Sequence, residues 1–117
     1  MYALILLNFI VPFVMVSTGY MLNKKQYGMD TGNGYNTPVS RKSQMHWDYA
    51  QSIAPGIFIA MGKRLFIIEI IISIVMAVLQ FSARVIVITG EFTGVVFLCL
   101  AFYYTDLKIK EKFPEGR

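Results

Sequence analysis

LFIIEIIISIVMAVLQF, residues 65–81, is followed after Ser82, Ala83 and Arg84 by VIVITGEFTGVVFLCLAFYY, residues 85–104. Each apolar run carries one charge, Glu69 in the first and Glu91 in the second. At a helical rise of about 1.5 Å per residue the runs are about 26 Å and 30 Å long, against a hydrocarbon core of about 30 Å. Two such helices joined by so short a connection must lie antiparallel, so the pair reads as a transmembrane hairpin. The apolar residues 57–61 precede Lys63 and Arg64 and extend the second span back to about residue 57, with its first turns in the headgroup region.

A third run, residues 2–20, has no charged residue and is about 28 Å long by the same rise. A cleaved secretory signal is the competing reading. It needs a basic start and a small-residue cleavage site, whereas here the first basic residue is Lys24 and the run ends Ser17-Thr18-Gly19-Tyr20, so the segment reads as a retained span. Pro12 within it costs one backbone hydrogen bond or a kink. The composition agrees with lipid as the solvent, because 56% of the 117 residues are hydrophobic and a soluble domain of this size has too little core to hide them.

The expected fold is therefore all-α, an integral membrane protein of one domain. It has three transmembrane helices (about 2–20, 57–81 and 85–104), a polar loop at 21–56 with a short cytoplasmic amphipathic helix, and a tail at 105–117. Of the 11 Lys and Arg residues, only Arg84 faces outward if the amino terminus is outside. The positive-inside rule then puts the loop and the carboxyl terminus in the cytoplasm, with Tyr20, Tyr103 and Tyr104 at the inner interface. The formal charge of +4 is gathered beside the apolar runs, so membrane lipids are the expected partner and nucleic acid is not.

Within the loop, Tyr27 to Pro38 is rich in Gly, Asn and Asp and reads as irregular turns. Ser40 or Ser43 then caps a helix to about Ser52, which Pro55 and Gly56 end. On it Trp47, Ala50 and Ala54 form one stripe, with Met45, Tyr49 and Ile53 beside it. Gly32-Asn33-Gly34 lacks the Gly-Lys-Ser/Thr of a phosphate loop. His46 and Cys99 are each alone, which leaves no metal cluster or nucleophile pair, so neither cofactor nor enzymatic activity is expected.

Polar residues inside the spans are functional candidates by default. These are Asn8, Glu69 and Glu91, with Arg84 at the head of the third span. Glu69 is expected to pair with Lys63, Arg64 or Arg41 near the inner interface, and Glu91 to lie in the opposite leaflet beside Asn8 and Arg84. Gly90 and Gly94 have the small-xxx-small spacing that serves either packing within the unit or a homodimer.

The most specific stretch is Gly34-Tyr35-Asn36-Thr37-Pro38-Val39-Ser40-Arg41-Lys42-Ser43-Gln44-Met45-His46-Trp47-Asp48-Tyr49-Ala50. It resembles the cytoplasmic signature of the SdpI-like family, named for an immunity protein against a sporulation-delaying peptide toxin. Gly34, Tyr35, Thr37, Ser40, Lys42, Ser43, Trp47 and Ala50 fit that signature, Arg41 lies in its basic stretch, and Asn36 stands where Arg is frequent. The order span, motif, span, span also agrees. The resemblance implies a multipass protein of the bacterial plasma membrane that confers resistance to a membrane-active toxin peptide. It also implies, for the named member, signalling through a cytoplasmic regulator held at the membrane. On this reading Trp47→Ala or Glu91→Gln lowers resistance without lowering membrane levels. The signature residues either contact a partner or simply dock the loop under the bundle; a signalling adaptor and a small enzyme or transporter subunit are the competing functions.

Overall fold

In a computed structural model of the chain, residues 2–24 and 34–114 are described. Tyr27 to Asn33 of the irregular stretch, and Lys25 and Arg117 of the charge count, lie outside the described residues. A 3₁₀ segment, Tyr2–Phe9, runs directly into α1, Ile10–Lys24; α2 is Gln44–Val78 and α3 is Ala83–Lys112. No strand occurs among the described residues. The change from 3₁₀ to α winding puts Pro12 in the first turn of α1, where a missing N–H costs little.

The hairpin connection has specific chemistry at both ends. Gln80 takes a left-handed conformation with φ of 67°. Its N–H donates to the Ala77 carbonyl and that of Phe81 to the Met76 carbonyl, a Schellman closure of α2. Ser82 then starts α3 by accepting the Val85 N–H at 3.3 Å.

Glycines set the spacing of the first helix against both arms. Gly19 lies on Pro55 and Ile59, where an added Cβ would meet the Pro55 carbonyl at 2.9 Å. Gly62 lies on Met15 and Val16, and Phe9 meets Phe66 with ring centroids 5.3 Å apart, so the first helix runs antiparallel to α2. Gly90 is filled by the Asn8 side chain and Gly94 faces Val11, so it runs parallel to α3. The Gly90-xxx-Gly94 stripe is thus covered within the chain.

The expected short helix ending at Pro55 is not a separate element. Its residues are the first turns of the 35-residue α2, which passes through Pro55 and Gly56. A helical proline forfeits one hydrogen bond, and packing of the buried Pro55 under Gly19 offsets that loss. Of the expected apolar face, Trp47, Ala50 and Ala54 are fully buried, Tyr49 and Ile53 are half-buried, and Met45 is exposed.

The molecule measures 54 × 29 × 18 Å, longer than a hydrocarbon core of about 30 Å. Large apolar side chains, among them Leu6, Phe13, Ile74, Val78 and Phe92, cover its outside while Asn8, Glu69, Ser73 and Thr105 are buried. That reverses the arrangement of a water-soluble protein. Ala3–Asn23 and Ala83–Lys112 are long and apolar enough to cross a membrane. The apolar end of α2 carries Lys63, Arg64 and Glu69.

Candidate functional site

The signature segment is a knot tied to the ends of α2 and α3. Gly34, with φ of 86°, turns the chain inward in a conformation that suits glycine. Tyr35 and Gln51 then exchange two hydrogen bonds: the Tyr35 N–H donates to Gln51 Oε1 at 2.9 Å, and Gln51 Nε2 donates to the Tyr35 carbonyl at 2.6 Å. The Tyr35 ring is buried against Phe58 and Phe102, with centroids 6.0 and 5.6 Å away. Its hydroxyl lies 2.8 Å from Asp106 Oδ1 and 3.0 Å from the Phe102 carbonyl, two acceptors for one proton. Burial, reinforced by the hydrogen-bonded and negatively charged Asp106, raises the Tyr35 phenol well above its ordinary range. It stays a donor at any physiological pH.

Thr37 donates its hydroxyl to the same Asp106 oxygen at 2.8 Å. Ser40 closes the turn: its hydroxyl donates to the Thr37 carbonyl at 2.8 Å and accepts the Thr37 N–H at 2.8 Å, and its N–H reaches Thr37 Oγ1 at 3.2 Å. Ser43 caps α2 by accepting the His46 N–H at 3.1 Å, and its hydroxyl lies 2.6 Å from His46 Nδ1. The Arg41 guanidinium sits over the Trp47 ring at 5.6 Å. Phe113 at the end of α3 lies tilted over His46, centroids 4.6 Å apart, and meets Tyr49 edge to face at 5.9 Å.

Most signature residues therefore face inward. Tyr35, Ser40, Trp47 and Ala50 are buried; Gly34, Thr37 and Ser43 are half-buried; Asn36, Arg41 and Lys42 are exposed. The Trp47 ring is wholly enclosed. Two residues that complete the knot, Gln51 and Asp106, carried no local signal beyond being a polar residue on the amphipathic turns and an acid just past the third span.

The intramembrane polar residues gather differently from the expectation. Asn8 is buried and donates Nδ2 to the Ile86 carbonyl at 3.1 Å. Glu69 is fully buried and neither carboxylate oxygen has a hydrogen-bond partner, so it does not pair with Lys63 or Arg64, which are exposed. Its charged neighbour is Glu91, half-buried on α3. The two acids are not held apart, as the expectation of opposite leaflets requires: the tight connection aligns the arms so that both lie roughly two turns from it. Arg84 is exposed at the head of α3 and takes no part in the group.

A groove of about 630 Å³ opens between α2 and α3 on the outer wall, lined by Gly56, Ile57, Ala60, Met61, Leu100 and three residues with polar ends, Arg64, Tyr103 and Tyr104. Among the described residues no group of His, Cys, Asp and Glu suits a metal ion. The family model for the SdpI/YfhL protein family matches residues 28–105, which takes in the knot and most of the hairpin. Neither the curated proteins nor the solved structures contain a match.

Proposed function

We propose that this chain, which belongs to the SdpI/YfhL protein family, is a membrane immunity protein that protects a bacterial cell by binding a membrane-active toxin peptide within the bilayer. It crosses the plasma membrane three times, with the amino terminus outside and the knot and carboxyl terminus in the cytoplasm. The charges of α2 near Lys63 and Arg64 lie at the inner headgroups, which leaves residues 65–81 to span.

The observation that carries this reading is the division of labour between knot and wall. The signature's Tyr35, Ser40, Trp47 and Ala50 are spent on internal contacts, whereas the apolar wall of α2 and α3 is open and grooved. A peptide already dissolved in lipid meets that wall first. The groove has room for several apolar side chains, and Arg64 with Tyr103 and Tyr104 supplies polar ends for a peptide backbone near the interface.

Expression in a sensitive bacterium is expected to raise the inhibitory concentration of at least one peptide in a panel of membrane-active toxins. Ala60→Trp, which fills the groove, is expected to remove most of that gain while membrane levels stay unchanged. Equal sensitivity with and without the protein, across the panel, contradicts the proposal. The exposed Asn36, Arg41 and Lys42 favour a second reading, in which a cytoplasmic regulator docks on the knot's outer face. Photocrosslinking from position 36 in cells separates the two, since an adaptor yields a protein adduct and the immunity reading yields none at that face.

A further inference from the structure

Asn8 Oδ1, both Glu69 carboxylate oxygens and Ser73 Oγ are buried without a hydrogen-bond partner. They come from residues 1%, 0% and 9% exposed, so water does not serve them from outside. Glu69 and Ser73 are four residues apart and share one face of α2. Asn8 arrives at the same level from the first helix: its neighbour Phe9 meets Phe66, one turn from Glu69, and its amide occupies the space over Gly90, next in sequence to Glu91. Three helices thus bring oxygen atoms to one depth inside the apolar band.

The group has acceptors and almost no donors. Asn8 has committed Nδ2 to the Ile86 carbonyl. From α3 the facing charge is another acid, Glu91; among the described side chains of the first helix no titratable group faces the site; on α2 the bases Lys63 and Arg64 are exposed. A bare carboxylate in this setting costs several kcal/mol, and leaving two further lone-pair bearers, Asn8 Oδ1 and Ser73 Oγ, unmatched adds to it. One positive charge supplied from solution cures both faults. Carboxylate, amide and hydroxyl oxygens are hard ligands, which suit a small hard cation and do not suit thiophilic or imidazole-seeking metals.

We propose that Asn8, Glu69 and Ser73 form an intramembrane site for one small hard monovalent cation, H⁺ or Na⁺, which ties the first helix to the hairpin. As a proton it forms an Oε–H bond on Glu69 that donates to the unmatched Asn8 oxygen; as sodium it is shared by the carboxylate, the Asn8 carbonyl and the Ser73 hydroxyl. The site stands apart from the immunity reading and is tested without any toxin.

The test follows thermal unfolding of the purified full-length chain in nonionic detergent. One arm varies pH in choline buffers from about pH 5 to about pH 9; the other varies sodium against choline at fixed pH and ionic strength. A proton site raises Tm on acidification in the first arm alone, and a sodium site raises it in the second, by roughly 4 °C or more per tenfold rise in cation beyond saturation. Glu69→Gln, which is neutral and carries its own donor, is expected to lose the response, and Ser73→Ala to shrink the sodium response. A wild-type Tm indifferent to both cations overturns the proposal. So does a response that survives intact in Glu69→Gln, or in Ser73→Ala and Asn8→Leu together should Glu69→Gln fail to fold.

Discussion

Trp47→Ala is expected to cost about 3–5 kcal/mol, a large part of the total stability of a small domain. The indole is the largest fully buried side chain in the molecule, and its truncation leaves a void at the junction of α2 with the signature turn, under the Arg41 guanidinium. The measurable result is a drop in the amount of protein retained in membranes, together with a lower unfolding temperature in detergent. Trp47→Phe, which keeps much of the volume, should fall between. The expectation that Trp47→Ala impairs resistance at unchanged membrane levels is therefore replaced: resistance falls with the amount of folded protein. Normal levels and an unchanged melting temperature contradict the enclosed position of the ring.

The second large effect belongs to Asp106→Ala. One carboxylate oxygen accepts from both Tyr35 and Thr37, and hydrogen bonds to charged groups are worth about 1.5–3 kcal/mol each. Because Tyr35 retains the Phe102 carbonyl as an alternative acceptor, the net loss is about 2–3 kcal/mol rather than the full sum. The change is local. Amide exchange of residues 34–43 should accelerate roughly thirtyfold or more while the spans keep their protection. Asp106→Asn keeps an oxygen acceptor and should accelerate exchange far less. Equal protection in wild type and Asp106→Ala contradicts the role of Asp106 as the anchor of the knot.

Much of the fold was legible because lipid simplifies the code: runs of apolar residues matched to a bilayer thickness admit few structures. Ser40 and Ser43 were both legible as caps, and Ser43 is the one that serves; the Trp47, Ala50 and Ala54 stripe followed from local periodicity that tertiary contacts did not override. Pro55 misled because its cost depends on what surrounds it. A proline that ends a solvated helix is tolerated where Gly19 lets a neighbouring helix close over it.

The site was less legible because its key partners are far apart in sequence. Tyr35 and Asp106 are separated by 71 positions and Asn8 and Ile86 by 78, and nothing in the spacing of either pair announces the contact. The relative level of Glu69 and Glu91 is illegible for a related reason. The apolar runs alone set the two acids at different levels, whereas the Schellman closure at Gln80 and the Ser82 cap turn both arms at one point and bring Glu69 beside Glu91.

We propose a three-span bundle that holds its signature knot against the cytoplasmic ends of α2 and α3. Cysteine accessibility in intact cells tests it most directly, using Asn36→Cys, Phe81→Cys and Glu111→Cys, each in a Cys99→Ser background. All three positions are exposed. A membrane-impermeant maleimide is expected to label position 81 in intact cells and positions 36 and 111 only after permeabilisation. Labelling of position 36 from outside, or of 81 and 111 from the same side, contradicts the account.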